Sequence, residues 1–133
     1  MDKLSAERRS FNMSRIRSVD SKPELILRRQ LHAAGYRYRL HVSNLPGRPD
    51  IVLPKRRKII FVHGCFWHQH TGCPDGRTPR SRPEYWEPKL KRNRERDAAA
   101  IELLQSQGWR VMIVWECEVG NPDTLCRIRR FLD

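Results

Sequence analysis

Residues 64–83 constrain this chain more than any other segment. They carry three glycines, three prolines and almost no aliphatic side chains. A structureless stretch that long inside a small domain is uncommon unless it is functional or tied down. Its opening offers the ties. Phe61 to Cys73 reads Phe-Val-His-Gly-Cys-Phe-Trp-His-Gln-His-Thr-Gly-Cys and holds three of the five histidines and two of the four cysteines. Metal ligands, acid–base groups and two adjacent aromatics, Phe66 and Trp67, share one loop. Core packing alone does not ask for that mixture.

Cys65, His70 and Cys73 have the spacing C-x4-H-x2-C. Cys117 follows the apolar run Val111 to Trp115, from which it can return to the same loop as a fourth ligand. Cys126, in the last helical segment, is either a core thiol or a substitute for Cys117. Three thiolates and one imidazole form a closed tetrahedral zinc set of the structural kind. Such a zinc supplies on the order of 10 kcal/mol of ordering energy to a loop with few apolar anchors. No run approaches the ~20 apolar residues of a membrane span. Met1 to Ser10 is charged and lacks a signal peptide's apolar centre. The expectation is a soluble cytoplasmic protein whose cysteines are ligands or free thiols rather than disulfides.

At 133 residues the chain suffices for one domain with a real core. Residues 1–20 are polar and basic and read as an arm or short helix that orders on binding; residues 21–133 read as the single domain. Ser21-Lys22-Pro23-Glu24 is a helix start with Glu24 at the capping-box position. Leu27, Leu31 and Ala34 line one face, and Gly35 stops the helix. Tyr36 to Leu40 alternates as a half-buried strand. Asp50 to Leu53 is a second strand, Pro54 to Arg57 a turn, and Lys58 to His63 a third strand. A long helix spans about Glu84 to Gln107, and Trp109 to Trp115 is a buried strand. Asn121-Pro122 opens a final helix with Leu125, Ile128 and Phe131 or Leu132 inward. The order α-β-β-β-α-β-α, with a helical crossover before the last strand, predicts an α/β fold with a mixed sheet flanked by helices.

The formal charge of +12, from 27 Lys and Arg against 15 Asp and Glu, points to a polyanionic partner. Within that basic surface a few residues stand out as hydrolytic. Asp50 opens strand two and His63 ends strand three, so a hairpin brings them to the same sheet edge. A carboxylate there suits a hard ion such as Mg²⁺, which polarises a phosphate; a plainer use of Asp50 is to cap the turn. Leu90, Asn93 or Arg94, Asp97, Ile101 and Leu104 recur at helical spacing, so Asp97 and Asn93 fall on the stripe facing the sheet. A carboxylate at that place needs a partner. A histidine of the 63–70 loop can supply it and be oriented as a general base; Arg94 or Arg96 is the solvated alternative. An exposed Phe66 or Trp67 in a basic protein suits stacking on bases or wedging between them.

Leu45-Pro46-Gly47-Arg48-Pro49-Asp50, the run Phe61 to Cys73, Asn93-x-Glu95-Arg96-Asp97, and Gly108-Trp109-Arg110-Val111 leading to Trp115-Glu116-Cys117 closely resemble the very-short-patch repair (Vsr) endonucleases. The match runs in order over about residues 10–118. The resemblance implies a restriction-endonuclease-like core (αβββαβ) with a structural zinc site. It implies a Mg²⁺-dependent nick 5′ of the T in a T:G mismatch, the lesion left by deaminated 5-methylcytosine, with 5′-phosphate and 3′-hydroxyl ends. By position it implies that Asp50 binds Mg²⁺ with the Val62 carbonyl. His68 is then the base on water, oriented by Asp97, and His63 assists at the scissile phosphate. Zinc falls on Cys65, His70, Cys73 and Cys117. Phe66, Trp67 and Met13 of the arm intercalate beside the mismatch. Glu24 matches an acidic position near the metals, or serves only as the capping-box residue.

The chain departs from the family in having Val62 where its best-known members carry Thr, in a zinc loop one residue longer than in some relatives, and in stopping soon after the last helix. The partners implied are mismatched double-stranded DNA and other mismatch-repair proteins, with monomeric action and no membrane. Two rivals are a related site-specific nicking or restriction enzyme without mismatch preference, and a catalytically inactive zinc-stabilised DNA-binding module.

Overall fold

The computed structural model describes residues 21–133; the N-terminal arm and Met13 lie outside the described residues. Helix α1 (Lys22–Ala33) starts where Ser21 Oγ accepts the Glu24 N–H at 3.4 Å, with Pro23 in its first turn. Strands β1 (Arg39–Leu40), β2 (Ile51–Leu53) and β3 (Lys58–His63) follow, then the long helix α2 (Pro83–Ser106), strand β4 (Arg110–Trp115) and helix α3 (Pro122–Leu132). The sheet order is β1-β2-β3-β4. β1–β2 and β2–β3 are antiparallel, and β3–β4 is parallel across the α2 crossover. The sheet is mixed and helices cover both faces, as expected for α/β. Among the described residues, no helix is long and apolar enough to cross a membrane.

The period-2 alternation of the strands sorts the core. Ile51, Leu53, Ile60 and Val114 meet Leu27 and Leu31 of α1 and Ile128 and Leu132 of α3. Val52, Ile59 and Phe61 meet Leu104 of α2 on the other face. Gly47 lets the loop before β2 close against α2. Its φ is +75°, and a Cβ there would lie 2.8 Å from that of Ala100.

Three expectations change. The first strand is only two residues long, because Tyr36 and Tyr38 pack toward helices: Tyr36 Oη donates to Asp133 Oδ1 at 2.7 Å and Tyr38 Oη to the Arg28 carbonyl at 2.9 Å. Strand β4 lies at the sheet edge, and only Val114 in it is fully buried. Cys126 is exposed rather than a core thiol, since the inner stripe of α3 is Thr124, Ile128 and Leu132, and Cys126 falls between those positions.

Candidate active site and metal-binding clusters

Parallel pairing sets His63 opposite Trp115, so β3 and β4 end side by side. Cys65 and Cys117 each come two residues later and therefore converge. The chain after Cys65 turns on itself, with the His70 N–H donating to the Cys65 carbonyl at 2.9 Å and the Cys73 N–H to the His70 carbonyl at 3.3 Å. A Cβ on Gly76 would meet the His70 carbonyl oxygen at 2.3 Å, so only glycine fits under this turn. Glu116 Oε1 accepts the Cys65 N–H at 2.8 Å and ties the loop to the end of β4. The ligand atoms of Cys65, His70, Cys73 and Cys117 lie within 4.8 Å of one another. His70 Nδ1 stands 3.7 Å from Cys65 Sγ and 3.4 Å from Cys117 Sγ. Zinc bonds of about 2.3 Å to sulfur and 2.0 Å to nitrogen put tetrahedral neighbours about 3.5 Å apart, so the four groups fit zinc. Burial pushes the Cys65 thiol up to about 12, a penalty on the thiolate that a bound cation reverses.

A second group joins His63, His68 and Asp97. Helix α2 presents Asp97 on its inner stripe, and Asp97 Oδ2 lies 2.5 Å from His68 Nδ1. The carboxylate accepts from Nδ1, which leaves His68 Nε2 as the free nitrogen. The His68 ring stacks on His63 at 3.8 Å between centroids and 8° between planes. His63 is buried, and its Nδ1 has no hydrogen-bond partner among the described residues. Burial first, then the neighbouring His68, lowers its pKa to about 4, so it is a neutral imidazole at pH 7. Asn93 Nδ2 donates to the Trp67 carbonyl at 3.3 Å and anchors the loop to α2. Asp97 thus takes the histidine partner, while Arg96 reaches Asn93 Oδ1.

Asp50 lies just before β2, and the β2–β3 register sets it opposite Phe61, two residues short of His63. Its Oδ2 accepts the Val62 N–H at 2.7 Å, at the end of β3 that carries His63. Its carboxylate groups with Glu24 and His41 rather than with His63. Burial first, and Glu24 after it, raises Asp50 to about 7 against the lowering effect of the Val62 N–H. Glu24 is almost fully buried and pairs with Arg28 at 3.0 Å and His41 at 2.7 Å. Its carboxylate thus faces the site rather than only closing a capping box. Two carboxylates placed so close, one with its charged form disfavoured by burial, fit a divalent cation.

Phe66 and Trp67 are both half-buried and meet edge to face at 5.0 Å. Both lean on Trp86 of α2, at 5.3 and 6.0 Å, and Lys89 Nζ sits 5.4 Å from the Trp67 ring centre. Sequence reasoning missed Trp86 and His41. Trp86 extends the Leu90–Asp97–Leu104 stripe one turn toward the N-terminus of α2. His41 follows β1, whose pairing of Leu40 with Ile51 sets it beside Asp50.

The family model for DNA mismatch endonuclease Vsr matches residues 1–73. The chain belongs to the Vsr family. Among its relatives is the type II nicking enzyme V.XorIIP of Xanthomonas oryzae, 50% identical over 99% of this chain and 97% of that protein. The DNA mismatch endonuclease Vsr of Escherichia coli is 44% identical over 88% of this chain and 74% of its own length. The type II nicking enzyme V.NmeAIP of Neisseria meningitidis is 41% identical over 96% and 90%. This Vsr-family chain is therefore a nuclease by kinship, and the three clusters described above are the places where its chemistry can reside.

Proposed function

We propose that this protein nicks one strand of duplex DNA on the 5′ side of the T in a T:G mismatch, beginning repair of deaminated 5-methylcytosine. One observation carries the reading: an Asp97-oriented His68 stacks on a buried neutral His63, and the aromatic pair Phe66–Trp67 directly precedes His68. One rigid loop then couples hydrolysis to entry into a base stack. Cys65, His70, Cys73 and Cys117 hold zinc, which orders the loop. Asp50, with the Val62 carbonyl, would hold Mg²⁺, which would supply positive charge to offset that of the scissile phosphate.

The chain's own groups do the rest. His68 Nε2 takes a proton from the attacking water while Asp97 keeps the ring in the required tautomer and orientation. Neutral His63, whose own Nδ1 is buried, assists at the scissile phosphate by backing the His68 ring on which it stacks. Phe66 and Trp67, supported from below by Trp86 and with Met13 from the arm, wedge beside the mismatch, where unstacking costs least. The net charge of +12 draws in the backbone. The protein acts as a monomer in the bacterial cytoplasm, alongside other mismatch-repair proteins.

The test is nicking of a strand-labelled duplex containing one T:G pair, beside the same duplex with T:A, at fixed Mg²⁺. Mismatch-dependent nicking that disappears in Asp50→Ala supports the reading. Full activity in Asp50→Ala would remove the assigned centre. The relatives V.XorIIP and V.NmeAIP are type II nicking enzymes; the second reading is a nicking enzyme without mismatch preference, and equal nicking of the two duplexes selects it. Mismatch binding with no nicking selects an inactive binding module.

A further inference from the structure

The carboxylates of Glu24 and Asp50 share their site with an imidazole that the endonuclease reading leaves without a role. Three elements supply the three groups: Glu24 from α1, His41 from the end of β1, and Asp50 from the start of β2. The His41 N–H donates to the Asp50 carbonyl at 3.1 Å, which locks the two residues side by side. His41 adopts φ +47°, a left-handed conformation that a non-glycine residue holds at some cost. From that backbone its Nε2 reaches Glu24 Oε2 at 2.7 Å. Glu24's side chain is 2% exposed and that of His41 24%. One ligand-capable atom from each of Glu24, His41 and Asp50 lies within 4.8 Å of the other two.

The three groups are near enough to converge on one ion with small side-chain shifts. Two donors bound cis on an octahedral cation at about 2.1 Å are about 3 Å apart, close to the separation of His41 Nε2 and Glu24 Oε2. The donor set is two carboxylates and one imidazole. Mg²⁺ prefers oxygen donors and keeps its water, whereas imidazole suits the first-row transition metals. Arg28 supplies one positive group on Glu24, and a divalent cation answers the second carboxylate.

We propose that His41 is a direct nitrogen ligand at the Asp50 metal site, completing a Glu24–His41–Asp50 set that favours Mn²⁺ over Mg²⁺. This rests on the reading of Asp50 as the metal carboxylate. The ring leaves its hydrogen bond to Glu24 and turns its Nε2 lone pair to the ion, while Nδ1 takes up a proton from solvent in exchange for the one Nε2 gives up, so the bound imidazole is neutral and no net proton is released from it. His41 thereby sets which cation the enzyme selects.

The experiment is Mn²⁺ binding to the zinc-saturated full chain, followed by electron paramagnetic resonance with echo-modulation detection of ¹⁴N coupling. Wild-type protein should bind Mn²⁺ with ¹⁴N coupling, and Mg²⁺ should displace it only at about tenfold or higher concentration. His41→Gln should abolish the coupling and lower the Mn²⁺:Mg²⁺ preference about tenfold, with Mg²⁺ affinity changed less than about twofold. Absence of nitrogen coupling in the wild type, which needs no variant to fold, overturns the proposal. So does coupling or preference that persists in His41→Gln. Asp50→Asn separates the underlying reading: unchanged Mn²⁺ binding in that variant removes Asp50 from the metal site, whereas binding lost there but free of nitrogen coupling in the wild type leaves Asp50 in place and removes only His41.

Discussion

Replacing Asp97 with Asn tests the pairing at the centre of the site. The carboxylate lies 2.5 Å from His68 Nδ1, and both side chains are 26% exposed. A hydrogen bond to a charged group contributes about 1.5–3 kcal/mol. Partial exposure screens it toward the lower half of that range, about 2 kcal/mol. If the bond is fully used in the transition state, its loss slows the chemical step about 30-fold. An Asn amide can also donate to Nδ1 and hold the opposite tautomer, which deepens the loss. The assay is single-turnover nicking of a T:G duplex at saturating enzyme, with affinity measured separately by fluorescence anisotropy. Asp97→Asn should lower the rate at least about 30-fold and leave affinity within about twofold. His68→Ala should lower it about 10²- to 10⁴-fold. The double variant should match His68→Ala, because Asp97 acts only through that ring. A further 30-fold loss in the double variant, or a defect confined to DNA affinity, would refute the pairing as a catalytic one.

Chelation of zinc should lower Tm by more than about 10 °C, because a zinc worth on the order of 10 kcal/mol rivals the whole stability of a small domain. Elemental analysis finding no zinc in a protein that melts unchanged would contradict this. Asp50 is raised to about 7, so the metal-free protein carries that proton at pH 6 and largely releases it by pH 8.5. In the metal-free protein this shift stabilises the fold most below pH 4, and the contribution is lost as pH rises through 7. Metal binding followed by calorimetry in buffers of differing ionisation enthalpy should therefore displace close to one proton at pH 6 and almost none at pH 8.5; a flat proton count would contradict it. Trp67→Ala should weaken T:G duplex binding by about 1–3 kcal/mol with little change in melting. Trp86→Ala, a buried large-to-small change, should cost about 3–5 kcal/mol of stability. Equal effects of the two on melting would place Trp67 in the core rather than at the DNA.

The long apolar alternations carried the architecture. β3 was legible to the residue because Ile59, Phe61 and His63 face α2 while Ile60 faces α1 and α3. The inner stripe of α2 was legible from Leu90, Asp97 and Leu104, and so was Asp97's need for a loop histidine. The four groups Cys65, His70, Cys73 and Cys117 were legible from spacing and from the return of β4 to the loop. What the pattern did not carry was set by tertiary contacts. The hydroxyls of Tyr36 and Tyr38 draw their backbone out of β1. Cys126 reads from the sequence as a core thiol or a substitute for Cys117, but the buried stripe of Thr124, Ile128 and Leu132 leaves it exposed. Asp50 was paired with His63 because both end at one sheet edge, yet the β1–β2 register delivers His41 and α1 delivers Glu24 to it instead. A lone histidine after a short strand carries no spacing signal, so His41 could be found only from the register.

The most direct measurement maps the cut itself. A duplex carrying one T:G pair, labelled on each strand in turn, is digested and both products are resolved to the nucleotide, with the ends identified by phosphatase and polymerase treatment. The account predicts a single nick in the T-containing strand, immediately 5′ of the T, with 5′-phosphate and 3′-hydroxyl ends. Cleavage of both strands, or the same nick in a duplex with that pair restored to C:G, would contradict it.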